Sequence, residues 1–464
     1  MRTSCDLLLL LVAIVSLVSC QVLVERADGG LLGPQMEEPD KLVHYQPRHV
    51  HIAYGNSPTT KMVVTWSTVD WPEGGDVTPF VEWGTRLPWQ GRTNGSTTRF
   101  VDTGDLHLAQ FIHRVTLTDL QPHTSYIYHC GSSEGISELF GFTTMMEGTD
   151  WSPSLAVYGD LGNVNAQSLV RLQQEVQLGV YDAILHVGDF AYDMDSDNGL
   201  VGDAFMDQIQ PIAAYLPYMT CPGNHEQRDN FAQYKNRFSM PGKFDSMLYS
   251  FDMGPVHFIS ISTEFYYFLQ YGIKHVVAQY EWLVEDLREA NRPERRAERP
   301  WIVTFGHRPM YCSNNNTDDC TQHETRVRVG IPFIHLFGLE DLFMEHGVDL
   351  AIWAHEHSYE RMWPMYNHRV VNGSDEGDPY HNPKGLVHVT TGSAGCSERH
   401  DDFVQYMPDY TAFRSTDYGY SRLHVLNKTH LHMEQVSDDQ DGKIIDSFTL
   451  VRDRHEAYKI PPRD

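Results

Sequence analysis

Between residues 41 and 145, short β-rich runs are separated by clusters of Gly, Pro, Asn and Asp. The runs are Val50–Tyr54, Lys61–Trp66, Phe80–Trp83, Phe111–Leu117 and Thr124–Cys130. Their lengths and turn-like spacers predict a β-sandwich, with Trp66 in its core. From about residue 151 the pattern changes. Apolar runs that read as strands buried on both faces occur at Leu155–Tyr158, Ala183–Val187, Val256–Ile261, Trp301–Phe305, Leu350–Trp353 and Leu386–Thr390. Between them lie stretches of helical period. Leu169, Leu172 and Val176 recur through Ala166–Leu178, and Trp282, Val284 and Leu287 suggest a helix over Gln279–Ala290. This is α/β patterning. Gly419–Leu450 reads as closing β structure, which predicts a second domain over 151–452 and a polar tail over 453–464.

A chain of 464 residues accommodates two domains. A formal net charge of −27 excludes nucleic-acid binding through a broad basic face. Residues 1–20 read as a secretory signal peptide: Met1-Arg2, an apolar core from Leu7 to Val18, and Val18-Ser19-Cys20 before the cut. That core is short for a retained anchor. Leu17-Val18-Ser19-Cys20 also resembles a bacterial lipoprotein box, and no later segment is long and apolar enough to cross a membrane. Sequons at Asn94, Asn315, Asn372 and Asn427 predict a glycosylated product of the secretory pathway, secreted or lysosomal. With Cys5 and Cys20 removed, Cys312 and Cys320 flank a polar loop and could close a short disulfide. Cys130, Cys221 and Cys396 are either buried thiols or contain a second pair.

The candidate chemistry lies at strand ends. Gly159-Asp160-Leu161-Gly162, Gly188-Asp189-Phe190-Ala191-Tyr192, Gly223-Asn224-His225-Glu226, Gly306-His307 and His355-Glu356-His357 supply two Asp, one Tyr, one Asn and three His able to hold metal. Taken singly, each block has a structural alternative: a turn, a helix cap, an exposed histidine pair. Together, loops at strand carboxyl ends converge on one crevice of an α/β sheet.

The order of these blocks resembles the calcineurin-like metallophosphoesterases. Tyr192, three residues after Asp189, narrows the resemblance to the purple acid phosphatases. Leu120-Gln121-Pro122-His123-Thr124-Ser125-Tyr126-Ile127-Tyr128 resembles a corner of a fibronectin type III domain, as found in the long, plant-like form of that family. Tyr418–Leu423 and Asn427–His432 look like its C-terminal region, so the resemblance spans about residues 44 to 450. It implies an all-β fibronectin type III-like domain followed by an α/β metallophosphoesterase sandwich of β-sheets flanked by helices. Thr304 stands where the family has Val, and Ala354 where it has Gly. The resemblance places Asp160, Tyr192 and His357 on one metal, Asn224, His307 and His355 on the other, and Asp189 on both. Hard oxygen donors on the first side suit iron(III); Asn and two His suit divalent zinc, iron or manganese. His225 is expected as general acid, with Glu226 orienting it. Relatives in plants place a His pair where this chain has Asn316 and Thr317; His323 is a candidate substitute, the alternative being that its loop is only a glycosylated surface feature.

Two ions roughly 3.5–4 Å apart can clamp a phosphate and make hydroxide available at acidic pH. The expected activity is therefore a secreted acid phosphatase acting on phosphate monoesters of small molecules or phosphoproteins, with a homodimer left open. A phosphodiesterase or nucleotide pyrophosphohydrolase on the same fold is the near alternative. A catalytically dead adhesion glycoprotein is the distant one.

Overall fold

The computed structural model describes residues 41–72, 77–371 and 378–461. The expected signal peptide and the Asn372 sequon lie outside the described residues. The architecture below is that of the unit beginning at His44.

Two four-stranded antiparallel sheets make the N-terminal sandwich. One runs in the order Arg48–Tyr54, Met62–Thr68, Ala109–Leu117, Ser96–Val101; the other Gly91–Asn94, Phe80–Gly84, Ser125–Gly131, Phe140–Thr143. Val64, Val81, Val115, Tyr126, Tyr128 and Phe142 fill its core, and Trp66 is buried. The Ser96–Val101 strand escapes sequence reading because it is polar and mostly exposed. One strand of each sheet also leans on the α/β part: Gln210 Oε1 accepts from the Val50 amide at 2.7 Å, and Tyr128 Oη donates to the Ala214 carbonyl at 2.8 Å.

The α/β part contains two larger sheets. A six-stranded sheet runs Tyr218–Cys221, Ala183–Val187, Ser154–Tyr158, Gly419–Val425, His430–Ser437, Lys443–Val451, with its first three strands parallel. A seven-stranded sheet runs Tyr249–Met253, Val256–Ser260, Trp301–Phe305, Leu350–Trp353, Val387–Thr391, Tyr359–Met362, Thr411–Ser415, with four central strands parallel. Ala183–Val187 and Trp301–Phe305 are buried at every position, as their unbroken apolar runs require. The helix Lys274–Ala290 turns Val276, Leu283 and Leu287 inward at helical spacing. It begins five residues before the expected Gln279, opening on the polar pair Lys274-His275. The helix Leu169–Gln177 buries Leu172 and Val176.

The register matters most for function. Val187 pairs with Cys221, His186 with Tyr158, and Phe305 with Ile352, so the carboxyl ends of these strands finish level within each sheet. The two edges meet where the His307 ring nitrogen Nδ1 donates to the Val187 carbonyl at 2.8 Å. Tyr458 is buried with its amide on the Met344 carbonyl, His455 stacks edge-on against Trp301, and Arg452 pairs with buried Asp349 at 3.0 Å.

Candidate metal centre

Three of the five blocks turn sharply as their strands end. Asp160, Asp189, Tyr192 and His355 all have left-handed backbone, at φ of 59°, 51°, 59° and 72°. For side chains larger than Gly such conformations cost of order 1–3 kcal/mol each, and they persist where surrounding structure over-determines them. The flanking glycines make the crowding possible. A Cβ on Gly223 would collide with the Asp189 carboxylate, and one on Gly188, itself at φ 84°, with the His307 ring. A methyl group at Ala354 occupies the space a Cβ on Gly159 would need, so this departure from the family pattern is absorbed by the glycine opposite. Thr304, the other departure, is buried with its hydroxyl unpaired among the described residues.

Two adjoining clusters result. In one, Tyr192 Oη lies 3.2 Å from Asp160 Oδ1 and 2.7 Å from His357 Nε2. In the other, His307 Nε2 lies 3.0 Å from Asp189 Oδ2 and 3.2 Å from Asn224 Oδ1, while the His355 ring stands 5.0 Å from the His307 ring. Asp189, His307 and His355 offer donor atoms within 4.8 Å of one another. The clusters are tied together by the His355 amide, which donates to Asp160 Oδ2 at 2.9 Å. All seven side chains named from sequence therefore lie in one crevice.

The imidazoles are oriented from behind. Nδ1 of His307 donates to Val187, and Nδ1 of His357 donates to the Arg399 carbonyl at 2.9 Å, leaving Nε2 of each to face the carboxylates. His355 is reversed: its Nε2 bonds to Asp318, leaving Nδ1 for the centre. Asp401 accepts from the His357 amide at 2.7 Å. Cys396, buried and also at positive φ, sets its thiol 3.5 Å from His357 Nδ1.

Glu226 departs from expectation. Its carboxylate does not touch the His225 ring; instead it accepts from three backbone amides, Asp189 and Phe190 at 3.0 Å and Gly223 at 2.8 Å. It pins the Asp189 and Asn224 loops to each other. His225 is held by Asp193, at 2.9 Å from Nδ1, with its ring over Tyr192 and Glu398 at 3.7 Å from Nε2. His323 is also corrected. It is exposed and stacks on His368, and its carbonyl is held by Arg328, so its ring is committed to that surface pair. The residue from its loop that reaches the centre is Asp318. Nothing in the local pattern of Asp318 or Asp193 distinguishes them from surface acids, although Asp193 directly follows Tyr192. Cys312 and Cys320 form a disulfide, and Cys130, Cys221 and Cys396 are buried free thiols.

Charge in the crevice is one-sided. Burial alone would drive protons off His307, but Asp189 outweighs it and raises that imidazole to about 9. Burial likewise opposes protonation of His357, and Asp160 reverses it, holding that ring well above its ordinary value. Burial also lowers His225, yet Asp189, Asp193 and Glu226 together raise it to about 10. Burial, then Asp189, push the Glu226 carboxyl up to about 8 against the pull of its amide donors. Buried carboxylates that demand positive charge, flanked by imidazoles with lone pairs turned inward and an acid-facing phenol, fit a pair of hard and borderline cations.

Comparison with known proteins agrees with this geometry. The calcineurin-like phosphoesterase family model matches residues 98–359, the model for the purple acid phosphatase N-terminal domain residues 47–144, and that for the iron/zinc purple acid phosphatase-like protein C residues 385–447. Acid phosphatase type 7 of Danio rerio is 55% identical over 418 residues, 88% of this chain and 92% of its own length. Its namesake in Homo sapiens is 54% identical over 88% and 91%. Fe(3+)-Zn(2+) purple acid phosphatase 12 of Arabidopsis thaliana is 27% identical over 89% and 86%. Among solved structures, purple acid phosphatase PPD1 from yellow lupin seeds shares the fold, with a TM-score of 0.74 at 24% identity over 90% of this chain and 78% of that one.

Proposed function

The chain belongs to the purple acid phosphatases, and from that membership we infer what its centre binds and which residues work there. It is an acid phosphatase with a binuclear metal centre, and its substrates are phosphate esters. We assign Asp160, Asp189, Tyr192 and His357 to iron(III), and Asp189, Asn224, His307 and His355 to a divalent ion, zinc, iron or manganese. The observation that carries the assignment is the orientation of the imidazoles. Each has one nitrogen tied to a carbonyl or carboxylate and the other left for the crevice.

Bound there, the ions supply Lewis acidity that neutralises a phosphate and acidifies water. The chain's own residues do the rest. Asp160 and Asp189 fix the spacing of positive charge. Tyr192, against Asp160, is a phenol that only a strong Lewis acid would keep ionised. His225, its Nδ1 held by Asp193 and its Nε2 3.7 Å from Glu398, is the proton donor to a leaving alkoxide. Glu226 keeps the Asp189 and Asn224 loops in register. The preferred substrates are phosphate monoesters, of small molecules or phosphoproteins.

Entry into the secretory pathway is part of the proposal. Asn94, Asn315 and Asn427 are exposed, as glycan acceptors must be, and no described helix is long and apolar enough to cross a membrane. Elemental analysis with pH–rate profiles on p-nitrophenyl phosphate and bis(p-nitrophenyl) phosphate tests the whole. The expected result is iron plus one divalent metal per chain, an acidic optimum and the monoester as the better substrate. A faster diester would move the assignment to phosphodiesterases, and metal-free protein without hydrolysis would end it.

A further inference from the structure

The disulfide loop from Cys312 to Cys320 runs alongside the His-x-His segment and bonds it at successive positions. Asn314 Nδ2 donates to Ser358 Oγ at 3.0 Å, Asn316 Nδ2 to Glu356 Oε2 at 2.7 Å, and Asp318 accepts from His355 Nε2. The far end is anchored as well. Asp318 Oδ1 accepts from the Asp319 amide at 2.7 Å, and Asp319 accepts from Tyr267 Oη at 2.6 Å.

Asp318 has a competitor for the same nitrogen. Arg308 Nη1 stands 2.7 Å from His355 Nε2 and 3.3 Å from Asp318 Oδ2. A guanidinium can only donate and a carboxylate can only accept, while a neutral imidazole carries one N–H. With Asp318 in place, the proton sits on Nε2 and the lone pair is on Nδ1, toward the centre. Without it, Arg308 donates to Nε2, the proton moves to Nδ1, and the lone pair needed by a cation is lost. The carboxylate thus selects the tautomer.

We propose that Asp318 is a positioning residue for the divalent-metal half of the centre, and that the Cys312–Cys320 disulfide is the clasp that keeps it on His355. This rests on the assignment of His355 to the divalent ion. The test is zinc titration of the iron-loaded protein, with the visible iron–tyrosinate band as a second readout. Asp318→Ala is expected to weaken zinc binding about tenfold to a hundredfold. Its visible band and iron content stay as in the parent. Asp318→Asn, which keeps the shape and an acceptor oxygen, weakens zinc less. The Cys312→Ser/Cys320→Ser pair weakens it in the same direction, and adding Asp318→Ala brings less than about a further twofold loss, because both act through one carboxylate. A zinc Kd within about threefold of the parent in both Asp318 variants overturns the positioning role. Losses that multiply independently overturn the clasp. A parent protein that shows no visible band or binds no second metal defeats the assignment of the two metals itself, a different outcome from either.

Discussion

Glu226→Gln separates two accounts of one buried carboxylate. Glu226 is almost wholly buried and accepts three backbone amides: Oε2 takes those of Asp189 and Gly223, Oε1 that of Phe190. A glutamine in the same place keeps one oxygen, which can serve the Asp189 and Gly223 amides. Its NH2 group then faces the Phe190 N–H, donor against donor. Two buried donors are stranded, at about 1–3 kcal/mol each, so the expected destabilisation is about 2–6 kcal/mol. That is a large part of a typical folding free energy of 5–15 kcal/mol. Urea unfolding of metal-free protein above about pH 8, where the Glu226 carboxyl is ionised, measures it without interference from ion binding. Hydrogen exchange should rise locally at the Asp189, Phe190 and Gly223 amides. Iron and divalent metal should both be lost more readily, since the loops carrying Asp189 and Asn224 are no longer joined. If stability changes by less than about 0.5 kcal/mol and exchange at those amides is unchanged, the loop-pinning account is refuted. A shift confined to the pH profile of kcat would instead restore the view that Glu226 acts on His225.

Asp189→Asn should abolish binding of both metals and essentially all turnover by elemental analysis and rate assay; near-normal activity would defeat its place on both ions. Tyr192→Phe should remove the visible band while the protein still folds, and an unchanged spectrum would exclude the tyrosine as a ligand. His257 is clamped between Asp252 at 2.7 Å and Asp286 at 2.9 Å, and although burial lowers it, those partners raise it to about 9. Its folded-state value lies above the ordinary 6.5, so its contribution, on the order of 3 kcal/mol, is fully present below about 6.5 and fades as pH rises through about 9. His257→Gln should flatten that alkaline loss in unfolding measured from pH 6 to 10; an identical slope would show that the clamp is not the titrating group.

The five blocks were legible because the chemistry of a ligand is a property of its own side chain. Two Asp, a Tyr, an Asn and three His each follow, or sit near, an apolar run, and such runs announce buried strands without reference to the rest of the chain. The roles given to Glu226 and His323 were less secure for a physical reason. What a side chain does depends on which atoms it meets, and those atoms lie on other segments. Glu226 binds amides 36 and 37 residues away in sequence, while Asp318 reaches His355 across 37. Neither pairing has a periodicity that a local window could detect.

Residue order, hydrophobic period and turn chemistry by themselves determined the all-β first domain and the α/β second one, since these follow from short-range preferences and from which faces must leave water; the resemblance of the five blocks to a known family added the seven candidate donors. The left-handed backbone of Asp160, Asp189, Tyr192 and His355, the reversal of the His355 ring, the docking of Tyr458 and the choice of Asp318 over His323 were decided only when the sheets closed on each other. Each is a competition for space or for a hydrogen bond between segments distant along the chain, and its outcome is fixed by packing.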